Sequence, residues 1–282
     1  MNIYLVPNFS KNAALEVARQ AVDILLEEGA AVLLEEPFAK YFAPAPGIRF
    51  LTAQQAMEAC DIVLTIGGDG TLLRAARQGL HCPKPLVGIN MGRLGFLTII
   101  ENDELYKLRR LPKREYQVEQ RSVLQANFGG ANSAACFAFN DIVLFKQVPN
   151  KTISMDIYCD DCKVSSFRGD GIIFATSTGS TAYSMSAGGP ILDARLGGII
   201  ATQICAHIVH TPPMVFASDR ILRAVPQSPP EDEVYISCDG QESWQLPWKE
   251  EIIIRQAGLT VPVIEFEDAG QLKSIDKKLK GR

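Results

Sequence analysis

A run of five apolar or β-forming residues at positions 62–66, IVLTI, constrains the fold more than any other feature of the chain. Side chains alternate between the two faces of a strand, so a strand without polar alternation has both faces buried. Such strands are typical of parallel sheets that are covered by helices on both sides. The run therefore predicts a central strand of an α/β domain.

Strands and helices alternate on either side of this run. We predict strands at residues 3–6, 31–34 and 85–89, and helices at residues 13–28, 52–58 and 72–78. The alternation predicts a doubly wound, Rossmann-like α/β domain over residues 1–100. From Tyr116 onward, short alternating segments replace helical periodicity. They predict a β-rich second domain over residues 101–257, with the charged residues 101–114 at the junction.

Charge and cysteine content narrow the partners and the compartment. The 282 residues carry a formal net charge of −4, which is not the basic surplus that a nucleic-acid backbone requires, so we expect no nucleic-acid partner. We find neither a signal-peptide pattern nor an apolar stretch long enough to span a membrane, and we expect no membrane partner. Seven cysteines, an odd number, favour a reducing compartment over a disulfide framework, which predicts a cytoplasmic protein.

Cys159 and Cys162 form a C-x-x-C spacing. Zinc sites and redox dithiols use this spacing, but zinc would need a second pair, and the other cysteines stand alone in the sequence. The flanking segments have the pattern of two strands, with Asp160 and Asp161 as the tight turn between them. We favour a β-hairpin, with a metal or redox site as the alternative. The short spacing of the histidines at positions 207 and 210 is only a weak indication of a joint metal site.

The strongest local signal for chemistry is GGDGT, which places Gly67, Gly68, Asp69, Gly70 and Thr71 between the buried strand and the next helix. Ligands of open α/β sheets bind at the carboxyl ends of the strands. Glycines let backbone N–H groups approach a phosphate, and the N-terminus of a helix favours an anion. Asp69 is the one ionisable group of the loop and a candidate base for a hydroxyl nucleophile. Thr71 can cap the helix, which would begin at Leu72. The alternative is a tight turn in which Asp69 is only a capping residue.

Three polar clusters lie in the β-rich half, and one of them, RGDG at residues 168–171, closes one strand and opens the apolar run at residues 172–175. Asn140 and Asp141 interrupt an otherwise apolar strand at residues 135–145, and a ligand could supply the partners that they need. Residues 176–186, TSTGSTAYSMS, combine seven serines and threonines with the ring of Tyr183. A ring beside many short donors suits stacking on, and hydrogen bonding to, a purine. The alternative for this segment is the capped start of a helix.

Together with further segments, these clusters resemble the NAD kinase family over nearly the whole chain. The matching segments are GGDGTLLRAAR (67–77), PLVGINMGRLGFLT (85–98), FNDIVL (139–144), RGDGIIFATSTGSTAYSMSAGGPI (168–191) and CDGQ (238–241). The resemblance implies an α/β domain and a β-rich domain, with residues 258–282 returning to the first, and a homodimer or homotetramer. It also implies transfer of the terminal phosphoryl group of ATP, or of another triphosphate or polyphosphate, to the 2′-hydroxyl of the adenosine ribose of NAD, with Mg²⁺ bound through the donor phosphates.

The same resemblance implies roles for particular residues. Asp69 would be the catalytic base, and Gly70 would contact the dinucleotide. Asn140 and Asp141 would bind the adenosine part of NAD, although the family usually has glutamate where Asp141 stands. Asp170 would reach the nicotinamide end across a subunit boundary. The remaining NAD contacts that the resemblance implies are Arg168, Thr178, Thr181, Ala182, Tyr183, Ser184, Met185, Ser186, Cys205, His207 and Gln241.

Two other functions share part of this pattern. A lipid kinase of the diacylglycerol or sphingosine type also carries GGDGT, but it would need an apolar acyl-chain pocket rather than the hydroxyl-rich residues 176–186. A non-catalytic NAD(P)-binding sensor would have no need of a carboxylate beside the phosphate loop. We therefore expect an NAD kinase.

Overall fold

The chain forms two compact units. The computed structural model describes all residues except positions 12, 93–94, 130–133, 150, 208–211, 230–232, 269 and 281–282. The first unit comprises Met1–Gln120 and Val261–Arg282, and the second comprises Arg121–Thr260. In the described part of the chain, no helix is long and apolar enough to cross a membrane.

The first unit is built on a parallel sheet. Its strands are β1 (Asn2–Pro7), β2 (Ala31–Glu35), β3 (Ile48–Leu51), β4 (Ile62–Gly67) and β5 (Leu86–Asn90). Its helices include α1 (Ala14–Glu27), α2 (Ala53–Ala59) and α3 (Asp69–Gln78), with short 3-10 helices at Glu36–Tyr41 and Asn102–Arg110. The strand order is β5, β4, β1, β2, β3, and each neighbouring pair is parallel. The predicted α/β fold is confirmed, and β3 is a strand that the sequence did not predict.

Local patterning accounts for these elements. The buried residues of α1 recur at spacings of three and four, and they are Ala14, Val17, Ala18, Ala21, Val22 and Leu25. All six residues of β4 are buried, as the apolar run predicts for a strand with both faces covered. Thr52 begins α2 with a capping box, in which its hydroxyl accepts a hydrogen bond from the Gln55 N–H at 3.3 Å.

The first unit extends to Gln120 rather than ending at residue 100 as predicted. The residues after position 100 pack on the first unit instead of forming a solvated junction. Three of their leucines are buried in the same hydrophobic cluster as α1, and they are Leu105, Leu108 and Leu111. Arg109 also forms ion pairs with Glu27 and Glu28, both at 2.8 Å. These contacts join residues distant in sequence, so the charged composition of the segment does not reveal them.

The second unit consists mainly of antiparallel strands, of which the first begins, and the last ends, in the first unit. They are β6 (Gln117–Phe128), β7 (Ala134–Ala138), β8 (Asp141–Lys146), β9 (Ile153–Cys159), β10 (Cys162–Gly169), β11 (Gly171–Thr176), β12 (Ile199–Ile204), β13 (Met214–Phe216), β14 (Leu222–Pro226), β15 (Val234–Cys238), β16 (Glu242–Leu246) and β17 (Ile252–Glu265). Short 3-10 helices span Thr178–Thr181 and Ala194–Leu196, and the single helical turn α4 spans Tyr183–Ser186. One sheet has the order β13, β12, β11, β8, β15, β16. The predicted β-rich domain is confirmed.

The end of the chain belongs to the first unit, as the resemblance implied. The early part of β17 pairs with β14 in the second unit, with Leu222 opposite Ile254. Its last part lies in the first unit, where Val263 pairs with Leu86 of β5 in parallel. The helix α5 (Gln271–Lys280) follows.

The cysteines are arranged partly as predicted. Cys159 and Cys162 lie opposite each other at the end of the hairpin of β9 and β10, with Asp160 in the left-handed region at φ 52°. The hairpin prediction is therefore confirmed, and both thiols are free. Cys136 and Cys238 form a disulfide, with Cα atoms 6.6 Å apart. The expectation that these two stand alone is wrong, because residues 102 positions apart leave no spacing pattern in the sequence.

Candidate active site

The GGDGT sequence lies where β4 ends and α3 begins. The helix starts at Asp69 with Gly68 at its N-cap, and no side chain caps it. The predicted start at Leu72 with Thr71 as the cap is therefore wrong, and so is the alternative in which Asp69 is the cap. An acidic residue in the first turn complements the helix dipole, so the helix can extend back to Asp69. Gly67 allows close packing, because a Cβ at this position would overlap the side chain of Thr71.

The carboxylate of Asp69 holds the segment that follows β5. Its Oδ2 accepts a hydrogen bond from the Phe96 N–H at 2.7 Å. Its Oδ1 accepts bonds from the Leu97 N–H at 3.1 Å and from the N–H and hydroxyl of Thr98, both at 3.0 Å. A Cβ on Gly95 would collide with this carboxylate. The donors lie 27 to 29 residues along the chain, so the sequence pointed to Asp69 but not to this contact.

Asn140 lies at a bend in the second unit. The strand predicted at residues 135–145 is in fact two strands, β7 and β8, separated at Phe139 and Asn140. The bend turns three consecutive backbone N–H groups toward the carboxylate of Asp239. Oδ2 accepts from Phe139 at 2.9 Å, and Oδ1 accepts from Asn140 at 2.8 Å and from Asp141 at 3.1 Å. Asp239 is a residue whose part in the site the sequence did not predict.

Three buried polar atoms near this bend have no hydrogen-bond partner in the described part of the chain. They are Oδ1 of Asn140 and the hydroxyl oxygens of Ser177 and Thr178. The two hydroxyls follow β11, which pairs with β8, and the Asn140 carbonyl accepts a hydrogen bond from the Thr176 N–H at 2.9 Å. A buried polar atom without a partner is costly, so such atoms point to a bound ligand or water. Their clustering at neighbouring strand ends marks a candidate binding site.

The hydroxyl-rich segment forms a 3-10 turn followed by α4. The Thr181 hydroxyl donates to the Thr178 carbonyl at 3.3 Å, and the Ser184 hydroxyl lies 2.9 Å from that of Thr202. The Ser184 hydroxyl is therefore engaged within the protein. Tyr183, by contrast, is 47% exposed. Of the other predicted contacts, Ala182 and Met185 are half-buried and Ser186 is exposed.

The structure separates the remaining predicted contacts into two groups. Gln241 lies at the Asn140 end, since its N–H donates to the carbonyl of Cys238 at 3.4 Å and Cys238 pairs with Ile142 of β8. The other group lies where β10 turns into β11 and where β12 ends, and it consists of Arg168, Asp170, Cys205 and His207. The six residues of β11 stand between the groups, a span of about 20 Å.

The second group is held by its own contacts. Asp170 forms an ion pair with Lys146 at 2.6 Å. The Nε of Arg168 donates to the Thr152 hydroxyl at 2.6 Å, and its carbonyl accepts from the N–H of His207 at 2.8 Å. Cys205 is exposed and has a positive φ of 47°. The histidine at position 210 lies outside the described residues.

Comparison with known proteins identifies the family. The model of the ATP-NAD kinase N-terminal domain matches residues 3–116, and that of the C-terminal domain matches residues 139–266. The NAD kinase of Moorella thermoacetica is 34% identical over 281 residues, which cover 99% of this chain and 89% of that protein. The chain belongs to the ATP-NAD kinase family. The resemblance read from the sequence is confirmed.

Further members of the ATP-NAD kinase family agree in sequence and fold. The NAD kinase of Caldanaerobacter subterraneus subsp. tengcongensis is 32% identical over 281 residues, covering 99% of this chain and 98% of that protein. Yeast NADH kinase complexed with NADH superposes with a TM-score of 0.88 at 23% identity, covering 99% of this chain and 87% of that one. An NAD kinase from Archaeoglobus fulgidus in complex with ATP superposes with a TM-score of 0.78 at 24% identity, covering all of both chains. These structures confirm the predicted fold.

In this ATP-NAD kinase family member, the carboxyl group of Asp141 has an unusually high pKa. It is buried, and burial raises the pKa of its carboxyl to about 7, with the charge of Asp239 as the second cause. Its backbone is fixed to Asp239 in both directions, because the Asp239 N–H also donates to the Asp141 carbonyl at 2.9 Å. The carboxyl can therefore change its protonation near neutral pH without losing its backbone position.

We expect Asp141→Asn to stabilise the ligand-free protein, and more so as the pH rises. The folded state keeps a proton on Asp141 up to a pH of about 7, whereas an aspartate in the unfolded chain has a pKa of 3.8 and releases its proton near that pH. Folding stability therefore falls as the pH rises through this window, and the neutral amide removes that loss. Thermal unfolding of both proteins between pH about 5 and about 8 measures it. A difference in midpoint that stays constant over this range would contradict the assignment.

Proposed function

We infer that this chain is an NAD kinase, which transfers the terminal phosphoryl group of ATP, or of another triphosphate or polyphosphate, to the 2′-hydroxyl of the adenosine ribose of NAD. Membership of the ATP-NAD kinase family supports the reaction. The observation that carries the location is the cluster of unpartnered buried atoms on Asn140, Ser177 and Thr178. These atoms need hydrogen-bond partners, and an adenosine offers both donors and acceptors.

In the first unit, GGDGT holds the donor phosphates in this proposal. A Cβ on Gly68 or Gly70 would meet nothing within 4 Å, so internal packing does not require a glycine at either position. The open space lies at the N-terminus of α3, where the helix dipole favours an anion. Gly67 and Thr71 pack against each other beneath it. The glycines thus leave room for phosphate oxygens beside backbone N–H groups.

Asp69 is the base in this proposal, and Oδ2 is the reacting atom. Oδ1 already accepts three hydrogen bonds, whereas Oδ2 accepts one, from Phe96. A carboxylate oxygen has two lone pairs, so Oδ2 can accept the proton of the 2′-hydroxyl. The ribose oxygen then bonds to the terminal phosphorus, the bond from that phosphorus to its bridging oxygen breaks, and ADP leaves when ATP is the donor.

The second unit binds the acceptor in this proposal. Asn140 and Asp141 contact the adenosine ribose, and Thr178 directly precedes Gly179, which packs against the backbone of Asn140. Tyr183 stacks on the adenine, since this residue is exposed at the start of α4. The other assigned contacts at this end are Thr181, Ala182, Ser184, Met185, Ser186 and Gln241.

The group at the other end of β11 supports a site that two subunits share. Arg168 and Asp170 lie at the opposite end of β11 from Thr178, and within one chain they do not face the Asn140 bend. A second copy could present its own Asp170 end to the nicotinamide half of a dinucleotide bound at Asn140. We therefore propose a homodimer or homotetramer in which the group with Cys205 and His207 completes the site of a neighbouring subunit.

In this proposal, the divalent metal ion is bound by the phosphates of the donor. Among the described residues, no three His, Cys, Asp or Glu side chains are grouped closely enough to hold a metal ion. We assign no side chain to a metal and derive no step through one. A divalent cation, Mg²⁺, would enter with the phosphates of the donor as part of the substrate.

A comparison of acceptors tests the proposed function. The purified protein is incubated with ATP and Mg²⁺ together with NAD, with diacylglycerol in mixed micelles, or with no acceptor, and the release of ADP is followed. Of the three reactions, we expect only the one that contains NAD to release ADP. Release with the lipid but not with NAD would establish a lipid kinase and overturn the proposal.

We expect Tyr183→Ala to raise the KM for NAD roughly tenfold or more, while kcat changes little. Stacking of a base on an aromatic ring is worth about 1 to 3 kcal/mol and is similar in the ground and transition states. Tyr106→Ala is the matched control, because that tyrosine is also exposed but lies on the 3-10 helix of the first unit. Steady-state kinetics with varied NAD concentration measure the KM of both variants. An unchanged KM would remove Tyr183 from the adenine pocket.

A further inference from the structure

The bend at Asn140 exposes backbone groups that a continuous strand would have paired. A buried backbone N–H without an acceptor is costly, and three such groups in a row, at Phe139, Asn140 and Asp141, need acceptors. The carboxylate of Asp239 supplies all three, at 2.9, 2.8 and 3.1 Å respectively. Hydrogen bonds to an ionised group are shorter and stronger than neutral ones. The bend therefore depends on a side chain 98 to 100 residues further along the chain.

Asp239 is itself fixed. It is buried, it follows the end of β15, and its backbone is in the left-handed region at φ 54°. Its own N–H donates to the carbonyl of Asp141 at 2.9 Å, which closes a ring of hydrogen bonds with the bend. Cys238, directly before it, pairs with Ile142 of β8. The backbone of Asp239 is thus fixed by its pairing with β8, and this fixes the position from which the carboxylate reaches the bend.

The carbonyl groups of the bend are held by Thr176. The Thr176 hydroxyl donates to the Phe139 carbonyl at 2.7 Å, and the Thr176 N–H donates to the Asn140 carbonyl at 2.9 Å. Asp239 and Thr176 together leave the backbone of Asn140 without freedom to turn. The side-chain Oδ1 of Asn140 is nevertheless buried without a partner among the described residues. The backbone of Asn140 is therefore fixed while its side-chain Oδ1 stays available as an acceptor for a ligand.

The negative charge at Asp239 is unfavourable for the neighbouring carboxylate. It lies near the buried Asp141 and adds to the rise of that residue's pKa. A neutral acceptor at this position would avoid the repulsion, but it would not serve all three N–H groups. In an asparagine, Oδ1 could keep the bonds from Asn140 and Asp141, whereas Nδ2 would point a donor at the Phe139 N–H.

We propose that Asp239 is a positioning residue of the reaction: its carboxylate fixes the 139–141 bend so that Asn140 and Asp141 meet the adenosine ribose in one orientation. This inference rests on the proposed function, because it concerns the same site. It assigns to Asp239 no contact with the substrate. Asp239 acts through the backbone of its three partners.

Asp239→Asn tests the inference, with Asp219→Asn as a matched control at an exposed aspartate of the same unit. We expect the KM and the calorimetric Kd for NAD to rise roughly tenfold or more, since the bond from the Phe139 N–H is lost and the other two bonds are no longer made to a charged group. The KM for ATP should stay the same and kcat should change less than the KM for NAD. Equal losses of activity with both substrates, or an unchanged Kd for NAD, would overturn the inference.

A double-mutant cycle with Asn140→Ala provides a readout that general destabilisation does not produce. If Asp239 acts through Asn140, the loss of NAD affinity in the double variant will be smaller than the product of the two single losses. Multiplying losses would mean that the residues act independently and would overturn the inference. If Asp239→Asn does not fold, Asp239→Ser, whose hydroxyl can still accept a bond, takes its place in both measurements. Because the calorimetry needs no turnover, a parent protein that binds NAD without forming NADP would refute the proposed function while the cycle still tests the positioning.

Discussion

Replacing Asp69 with asparagine should lower kcat for NADP formation by about 10²- to 10⁴-fold, the usual loss when a general base is removed. Asparagine can keep Oδ1 as the acceptor for the bonds from Leu97 and Thr98. It replaces Oδ2, the oxygen that we propose as the base, with an amide that cannot accept a proton. The KM for NAD should change by a much smaller factor than kcat, and the thermal midpoint should change little. Steady-state kinetics and thermal unfolding on one preparation measure all three.

The same substitution also disturbs a structural contact, so it needs a control. The new amide would face the Phe96 N–H, which donates to Oδ2 in the parent protein. Thr98→Val removes one of the four hydrogen bonds to Asp69 and leaves its carboxylate intact. We expect this control to keep kcat within about tenfold of the parent. Full activity in Asp69→Asn, or an equal loss in Thr98→Val, would refute the assignment of Asp69 as the base.

Gly179→Ala should lower the thermal midpoint by about 6 °C or more, or prevent folding of the second unit. A Cβ at this position would overlap the carbonyl oxygen of Asn140 and lie 2.7 Å from its Cα. Backbone atoms cannot move aside as the end of a side chain can. The Gly179 N–H also donates to the Thr176 hydroxyl at 2.9 Å, so the turn cannot shift without breaking the contacts of the bend. Any folded fraction should bind NAD more weakly.

Gly258→Ala is the matched control for this prediction. It lies in β17, and a Cβ there would meet nothing within 4 Å. We expect a change in stability of no more than about 0.5 kcal/mol, the usual range for surface substitutions. If Gly179→Ala unfolded at the same temperature as the parent, the 3-10 turn would not be packed against Asn140 as the structure describes.

Patterns carried by neighbouring residues were readable from the sequence. The spacing of buried residues in α1 and the complete burial of β4 are local consequences of composition, so both elements could be predicted. The short strand β3 could not be predicted, because three of its four residues are only half-buried and the fourth, Arg49, is exposed. The start of α3 was misplaced because GGDGT contains residues typical of turns, yet Asp69 tolerates the first helical turn.

Contacts between distant residues were not readable. The sequence singled out Asn140 and Asp141 as polar residues in an apolar stretch, but their carboxylate partner Asp239 lies 98 or 99 positions away. The same limit applies to the disulfide between Cys136 and Cys238. The strand register that places Asp170 at the far end of β11 likewise appears only in the structure.

The identity of the product tests the central claim most directly. The purified protein is incubated with NAD, ATP and Mg²⁺, and the product is examined by ³¹P NMR and by reduction with an NADP-specific dehydrogenase. An NAD kinase will form a dinucleotide with a phosphate monoester on the 2′-oxygen of the adenosine ribose, and the dehydrogenase will accept it. Binding of NAD without any such product, or a phosphate at another position, would contradict the claim.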